Sequence, residues 1–312
     1  MAGIVASQAI GLLAIGTAAL VLILQSFFRF KIRPFVILFF VLFLISSIST
    51  IVSTLLVPTP LLLAVGSLWT PLAFAFVLLH CSRSLGFKKT LLFFSIALSF
   101  GLVSETLGAA RGLIFGPYFY TYDKFFFGLV PLYTPFGWAV GIYLAYALTN
   151  QFLSGLIDEK PRLNVTRLNC AGLILILSAI GGLVAMNLDM ILDPVAVTAQ
   201  PPGWVWIAGG PYFNIPISNF VGWFFVTFFA VALFRSYEAF RSKLWEGARS
   251  IDVFVPVVYL MYFLVHASLA IRMGHPEFAL IGFSSMFPFI LFATLVFYVH
   301  KARRGDKNEK RR

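Results

Sequence analysis

The chain has 312 residues, of which 60% are hydrophobic, 17% aromatic and only 11% charged, and it carries a formal net charge of +11. A soluble domain has about 25% charged residues, so the composition excludes a soluble enzyme and points to an all-α, polytopic membrane bundle. The basic excess reads as a topology signal and not as a nucleic-acid surface, and two cysteines, Cys81 and Cys170, are too few for a disulfide framework.

Nine apolar runs of bilayer length are predicted as transmembrane helices. In chain order they cover 4–28, 34–57, 61–82, 89–107, 131–153, 168–192, 215–234, 253–273 and 278–300. The first basic residue, Arg29, comes after the first run, so that run is expected to stay in the membrane and not to be cleaved as a signal peptide. Between the second and third runs, "VPTP" is a tight turn, because Pro58 and Pro60 cannot continue a helix. The whole of 1–300 reads as one membrane domain. The basic tail 301–312, "KARRGDKNEKRR", is expected to be disordered and to touch anionic lipid.

Charge fixes the expected orientation. The odd-numbered loops and the tail hold 20 of the 23 Lys and Arg residues, Arg235 among them; Arg111, Lys124 and Arg272 are on the other side. The positive-inside rule therefore predicts a multi-pass cell-membrane protein with its N-terminus outside and its C-terminus in the cytoplasm.

The even-numbered loops differ in kind. Loop four, "GAARGLIFGPYFYTYDKFFFGLV", is long, aromatic and glycine-rich, and loop six, "DPVAVTAQPPGWVWIAGGPYFN", has two tryptophans and no basic residue. Both suit an extracytoplasmic cap over the bundle, since non-helical backbone at that depth must be covered by protein or face water. The two regions also echo each other: each has Gly-Pro-Tyr-Phe, then a proline, then Gly-Trp opening a helix. That is either a degenerate parallel repeat around a shared site or two interfacial loops of similar composition.

Three acids lie in the spans that lead into these loops. In "NLDMILDPVA", Asp189 and Asp193 are one helical turn apart and share a helix face, and Pro194 is expected to end or kink the helix there. Glu105 lies about 24 Å into its own span at 1.5 Å per residue, on the same outer side. An acid costs about 2.5–3.5 kcal/mol at a helix centre on insertion scales, so such groups normally face the bundle interior or a wet cavity. Mutual repulsion in a dry site would leave one of them holding a proton, ready for general acid catalysis. Read one at a time, each acid is equally a helix-end carboxylate wetted by the interface, or a partner of Arg111 or Arg272.

Other polar groups rank lower. His80 and His266 read as satisfied core residues, and His275 and His300 as interfacial. Asn187, Asn214 and Asn219 are near the acids, with Asn219 favoured for orienting water. Tyr118, Tyr120, Tyr122 and Tyr212 are belt residues by position. Of these, Tyr118, Tyr120 and Tyr212, together with Trp204, Asn219 and Trp223, are candidates for binding substrate. No phosphate-binding loop, dinucleotide fingerprint, Cys/His metal spacing or nucleophile elbow is present, so neither metal nor cofactor is expected.

Two blocks resemble the integral-membrane carotenoid hydratases, which include the carotenoid 1,2-hydratases and the archaeal bisanhydrobacterioruberin hydratases. The first runs from Glu105-x-x-Gly108 through "FGPYFYT" to a Pro-x-Gly-Trp helix start. The second is Asp189-x-x-x-Asp193-Pro194, then "WVW" and "GGPYFNIPISNFVGW". The chain departs from the family pattern in having Arg111-Gly112 for Thr-Gly and Leu188 where a tryptophan is usual. The resemblance implies a lyase of carotenoid biosynthesis that hydrates a terminal isoprenoid double bond. Its substrate is a carotenoid arriving from the lipid phase, and neighbouring pathway enzymes are a further partner class. In that reading Asp193 or Asp189 donates the proton, and Glu105 orients or deprotonates water. Two rivals stay open: a membrane cyclase or prenyltransferase acting on similar lipids, and a transporter with a carboxylate-lined path. Transport predicts polar groups in the inner half of the bundle, where the sequence offers little beyond His80 and the loop cations.

Overall fold

The computed structural model describes residues 2–28, 31–156, 167–241 and 253–309. In lipid every backbone N–H and C=O must be satisfied internally, so the apolar runs fold as helices. They are α1 (Ala2–Phe28), α2 (Arg33–Leu55), α3 (Pro60–Gly66), α4 (Trp69–Leu85), α5 (Phe87–Arg111), α6 (Thr134–Leu156), α7 (Arg167–Thr198), α8 (Ile217–Phe240), α9 (Phe254–Arg272) and α10 (Pro276–Glu309). Among the described residues, seven stretches are long and apolar enough to cross a membrane: α2, α3 with α4, α5, α7, α8, α9 and α10. The chain is thus a multi-pass helical membrane protein.

Helix α6 is the least lipid-like of the expected spans because it is the centre of the bundle. It packs against α4, α5, α7, α8, α9 and α10, and Trp138, Tyr143, Tyr146, Thr149, Asn150 and Gln151 are all buried along it. A helix covered on every side can carry polar groups that lipid would reject.

Three expectations about element boundaries need correction. The third span is not one helix but breaks after Gly66. A Cβ on Gly66 would lie 2.8 Å from Thr50 Oγ1, so only glycine lets α3 press on α2 there. The hydroxyls of Ser46 and Thr50 then donate to the carbonyls of Val65 and Gly66, at 2.7 and 3.1 Å, and satisfy backbone that the break frees. Next, Pro194 does not end its helix; α7 continues to Thr198. Finally, α10 does not stop at the expected bilayer edge. Its backbone stays helical to Glu309, because Lys301, Ala302, Arg303 and Arg304 are good helix formers and no proline follows His300. The loop cations Lys160, Arg162, Lys243 and Arg249 lie outside the described residues.

At one end of the bundle the two aromatic loops are joined. Strand β1 (Tyr118–Tyr120) from loop four pairs antiparallel with β4 (Trp204–Trp206) from loop six, with Tyr118 opposite Trp206 and Tyr120 opposite Trp204. A second ribbon, β2 (Lys124–Phe126) with β3 (Val130–Pro131), flanks it. The sequence echo is only partly structural. Gly116-Pro117 leads into a strand, whereas Tyr212 and Ile215 close a turn on each other. The two Gly-Trp helix starts do converge, and the indoles of Trp138 and Trp223 stack with centroids 3.9 Å apart.

The opposite end holds polar groups that the sequence reading placed in a loop. Arg235 is fully buried on α8, donating to Asn150 Oδ1 at 2.9 Å and to Thr149 Oγ1 at 2.6 Å, with its guanidinium 4.7 Å from the Tyr146 ring centroid. The Tyr146 hydroxyl donates to Glu238 at 2.8 Å, and Lys89 lies 3.6 Å from the same carboxylate. Arg235 is therefore a core residue and not a topology cation. This cluster ties α5, α6 and α8 together at the end away from the cap.

Candidate active site

Successive residues of a strand point to opposite faces. Along β1 this turns Tyr118 and Tyr120 inward and Phe119 outward, and along β4 Trp204 and Trp206 face the same interior. Paired rings pack across the ribbon, tilted with centroids 4.9 Å apart for Tyr118 and Trp206 and edge-to-face at 5.8 Å for Tyr120 and Trp204. Four polar-tipped aromatic side chains thus point from the cap into the bundle.

Each strand serves one acid. Glu105, on α5 and 6% exposed, accepts from the Tyr118 hydroxyl, from the Tyr120 hydroxyl at 2.6 Å, and from Trp138 Nε1 at 2.6 Å on its other oxygen. Burial, and then the charge of Glu105, pushes both phenols above the ordinary tyrosine range, so they remain O–H donors at neutral pH. Gly108, one turn beyond Glu105, makes this possible. A Cβ there would lie 2.9 Å from Tyr118 Cε1 and 3.0 Å from its hydroxyl. Arg111 is exposed at the end of α5, and its pairing with Glu105 does not occur.

The second acid group is built differently. Asp189 and Asp193 on α7 are each 1% exposed, and Asn219 of α8 bridges them, its amide nitrogen 2.6 Å from Asp189 Oδ2 and 2.7 Å from Asp193 Oδ2. Trp204 Nε1 donates to the other oxygen of Asp193. Trp206, also buried, stands in the same wall as Trp204 and Asp193.

Between the two groups is a cavity of about 180 Å³. Glu105, Asp193, Tyr118, Tyr120, Trp204, Asn219 and Trp223 border it. Two expected members do not. Asp189 stands behind Asn219, and Tyr212 turns its hydroxyl away to the Met190 carbonyl at 2.7 Å. Asn187 also points elsewhere, donating to Ser285 O at 3.1 Å. His80 and His266 are core residues, bonded at 2.6 Å to the Tyr143 hydroxyl and at 2.7 Å to the Tyr262 carbonyl.

Sequence reasoning missed Trp69, Trp138, Trp206 and Tyr262 in the wall. Trp206 was within reach, since Trp204-Val205-Trp206 has the two-residue period of a strand that turns both indoles to one side. Trp69 and Tyr262 sit inside apolar runs, where nothing local separates a cavity aromatic from a core one.

The family described as carotenoid biosynthesis protein has a model that matches residues 65–288, well over half of the chain. The chain belongs to the carotenoid biosynthesis protein family. No curated protein and no solved structure matches it. The matched stretch of this carotenoid biosynthesis protein takes in every residue that borders the cavity, from Trp69 to Tyr262, and leaves out α1, α2 and the basic tail. Family and fold together make it a membrane protein of carotenoid biosynthesis.

Proposed function

We propose that this protein is a carotenoid hydratase, which adds water across a terminal isoprenoid double bond of a carotenoid entering from the lipid phase. One observation carries the reading. Of two acids facing the same aromatic cavity, each with an indole donor, Glu105 stands alone among donors and Asp193 has a second carboxyl, Asp189, beside it. Glu105 receives three donors, one of them an indole that can only donate, and this suits a carboxylate. Asp193 shares one amide with Asp189 in a dry site, and two carboxyls so placed hold a proton between them.

The chemistry follows from that asymmetry. The Asp193 O–H bond breaks as the alkene π pair takes its proton at C2, leaving a tertiary cation at C1 and a carboxylate on Asp193. The Glu105 charge and the faces of the Trp138–Trp223 stack stabilise the cation. Water then forms the C1–O bond and returns a proton to Asp193, so the acid is restored and a tertiary alcohol leaves. Asn219 keeps Asp189 and Asp193 aligned. No oxidation or reduction occurs. The excess of Lys and Arg in the odd loops supports a cap facing outward and a cytoplasmic C-terminus.

The deciding experiment incubates the full chain in liposomes with an acyclic carotenoid and analyses the products by mass spectrometry. A hydratase yields material heavier by one water per reacted end. An isomer of unchanged mass would point to a cyclase, and loss of activity on adding a chelator to a prenyltransferase.

A further inference from the structure

We infer that Gly137 sets which alkene end the cavity admits: the reacting end of an acyclic isoprenoid chain lies against this glycine, in space that a side chain would fill. The inference deepens the hydratase reading and rests on it.

Glycine inside a helix is unfavourable, because it leaves the unfolded chain more freedom than alanine does. A helical glycine therefore needs a reason, and three glycines around the site have one in packing. A Cβ on Gly101 would lie 2.5 Å from Trp138 Cβ, one on Gly108 would lie 2.9 Å from Tyr118 Cε1, and one on Gly222 would lie 2.5 Å from Phe115 Cδ1. Gly137 is different. It is in the first turn of α6, its backbone is not left-handed, and a Cβ there would meet nothing within 4 Å. The two Gly-Trp helix starts, alike in sequence, thus serve different ends. Gly222 makes room for Phe115, and Gly137 makes room for no part of the protein.

The open space belongs to the cavity. Thr134, Gly137 and Trp138 are spaced three and four residues apart, so they share one face of α6, and all three border the cavity. Gly137 is also close to the acids, since the indole of its neighbour Trp138 donates to Glu105 at 2.6 Å. The cavity volume of about 180 Å³ compares with the roughly 150 Å³ that holds a benzene-sized guest. It takes one branched end of a carotenoid and not the polyene behind it. In so small a space one carbon decides what fits: a methylene in an apolar pocket is worth about 10- to 200-fold in selectivity. Glycine at 137 leaves the most room for the two methyl groups on C1.

The test compares wild-type protein with Gly137→Ala and Gly137→Leu, each as the full chain. Unfolding temperature is measured in detergent. In liposomes in D₂O, deuterium entering the protonated alkene carbon is followed for lycopene and for 2-methyl-2-butene, which has the same trisubstituted double bond without the chain. Gly137→Ala is expected to unfold at or above the wild-type temperature, because alanine is the better helix former and its methyl meets no neighbour. Its kcat/KM for lycopene should fall about 10-fold, and that of Gly137→Leu about 100-fold. The rate of Gly137→Ala on the small alkene should stay within about threefold of wild type, because that molecule does not need the whole cavity. A lower unfolding temperature for Gly137→Ala would make this a packing glycine and overturn the inference. Lycopene rates within twofold of wild type in both variants would also overturn it, as would equal losses on the two alkenes, which mean disturbed acids and not a narrowed cavity. In those cases wild-type activity leaves the hydratase reading standing. Wild-type protein that transfers no deuterium to lycopene would overturn that reading, and the role of Gly137 with it.

Discussion

Tyr212 donates its hydroxyl proton to the backbone carbonyl of Met190 at 2.7 Å. Met190 needs that donor because the residue four positions on is Pro194, which has no N–H to offer the helix. The proline sits inside α7 immediately after Asp193, so Tyr212 lets the helix run through the site unbroken. Although Tyr212 resembles a binding residue in sequence, its hydroxyl is spent on backbone. Tyr212→Phe should therefore lower stability by about 1 kcal/mol, the worth of a hydrogen bond to a part-buried acceptor, and lower the unfolding temperature in detergent. KM for the carotenoid should not move, and a large rise in KM would put Tyr212 back in the binding site.

Glu105→Gln tests whether that side chain serves as an anion. Its neighbours are two phenols and an indole, all donating. An amide must turn its NH₂ either to the indole, donor against donor, or to the two phenols, which then lose the acceptor they share. Stability should fall by about 1–3 kcal/mol, and turnover by about 100-fold or more as the charge opposite the cation disappears. Thermal unfolding and product formation, measured on the same preparation, check both halves. A variant as active as wild type would remove Glu105 from the chemistry.

Asp189 and Asp193 look interchangeable in sequence, one turn apart on one face, but only Asp193 borders the cavity. Asp193→Asn should reduce the rate by about 10²- to 10⁴-fold, the span of general acid catalysis. Asp189→Asn should cost clearly less, because it removes a partner in proton sharing and not the group that meets the alkene. Equal losses in the two variants would mean that the pair acts as a unit and that proximity to the cavity does not select the donor.

The spans were legible because lipid imposes one simple demand: about twenty apolar residues with their backbone satisfied in place. The three acids were legible for the converse reason, since each breaks that rule. What joins them was harder to read. Tyr118 and Trp206 are far apart in the chain, and their pairing in a two-stranded ribbon has no local signal beyond the alternation of Tyr-Phe-Tyr and Trp-Val-Trp. Asp193 was separated from Asp189 only by how α7 turns against α8. The depth of Arg235 was invisible because a cation just past an apolar run reads as a loop anchor until the helix is seen to continue to Phe240.

That buried arginine gives the last prediction. Arg235, Tyr146, Glu238 and Lys89 form one connected chain of contacts. Removing one member of a buried charged set leaves the others without compensation, a loss of about 3–5 kcal/mol. Arg235→Met and Glu238→Leu should each destabilise the bundle by that order, and the double variant should lose less than the two combined, since Arg235 and Glu238 then no longer leave each other uncompensated. Because the cluster lies at the end of the bundle away from the cap, whatever protein folds should keep its KM and its deuterium incorporation per turnover. A substituted cluster that changed the product, and not only the amount of folded protein, would show that this end of the bundle takes part in catalysis.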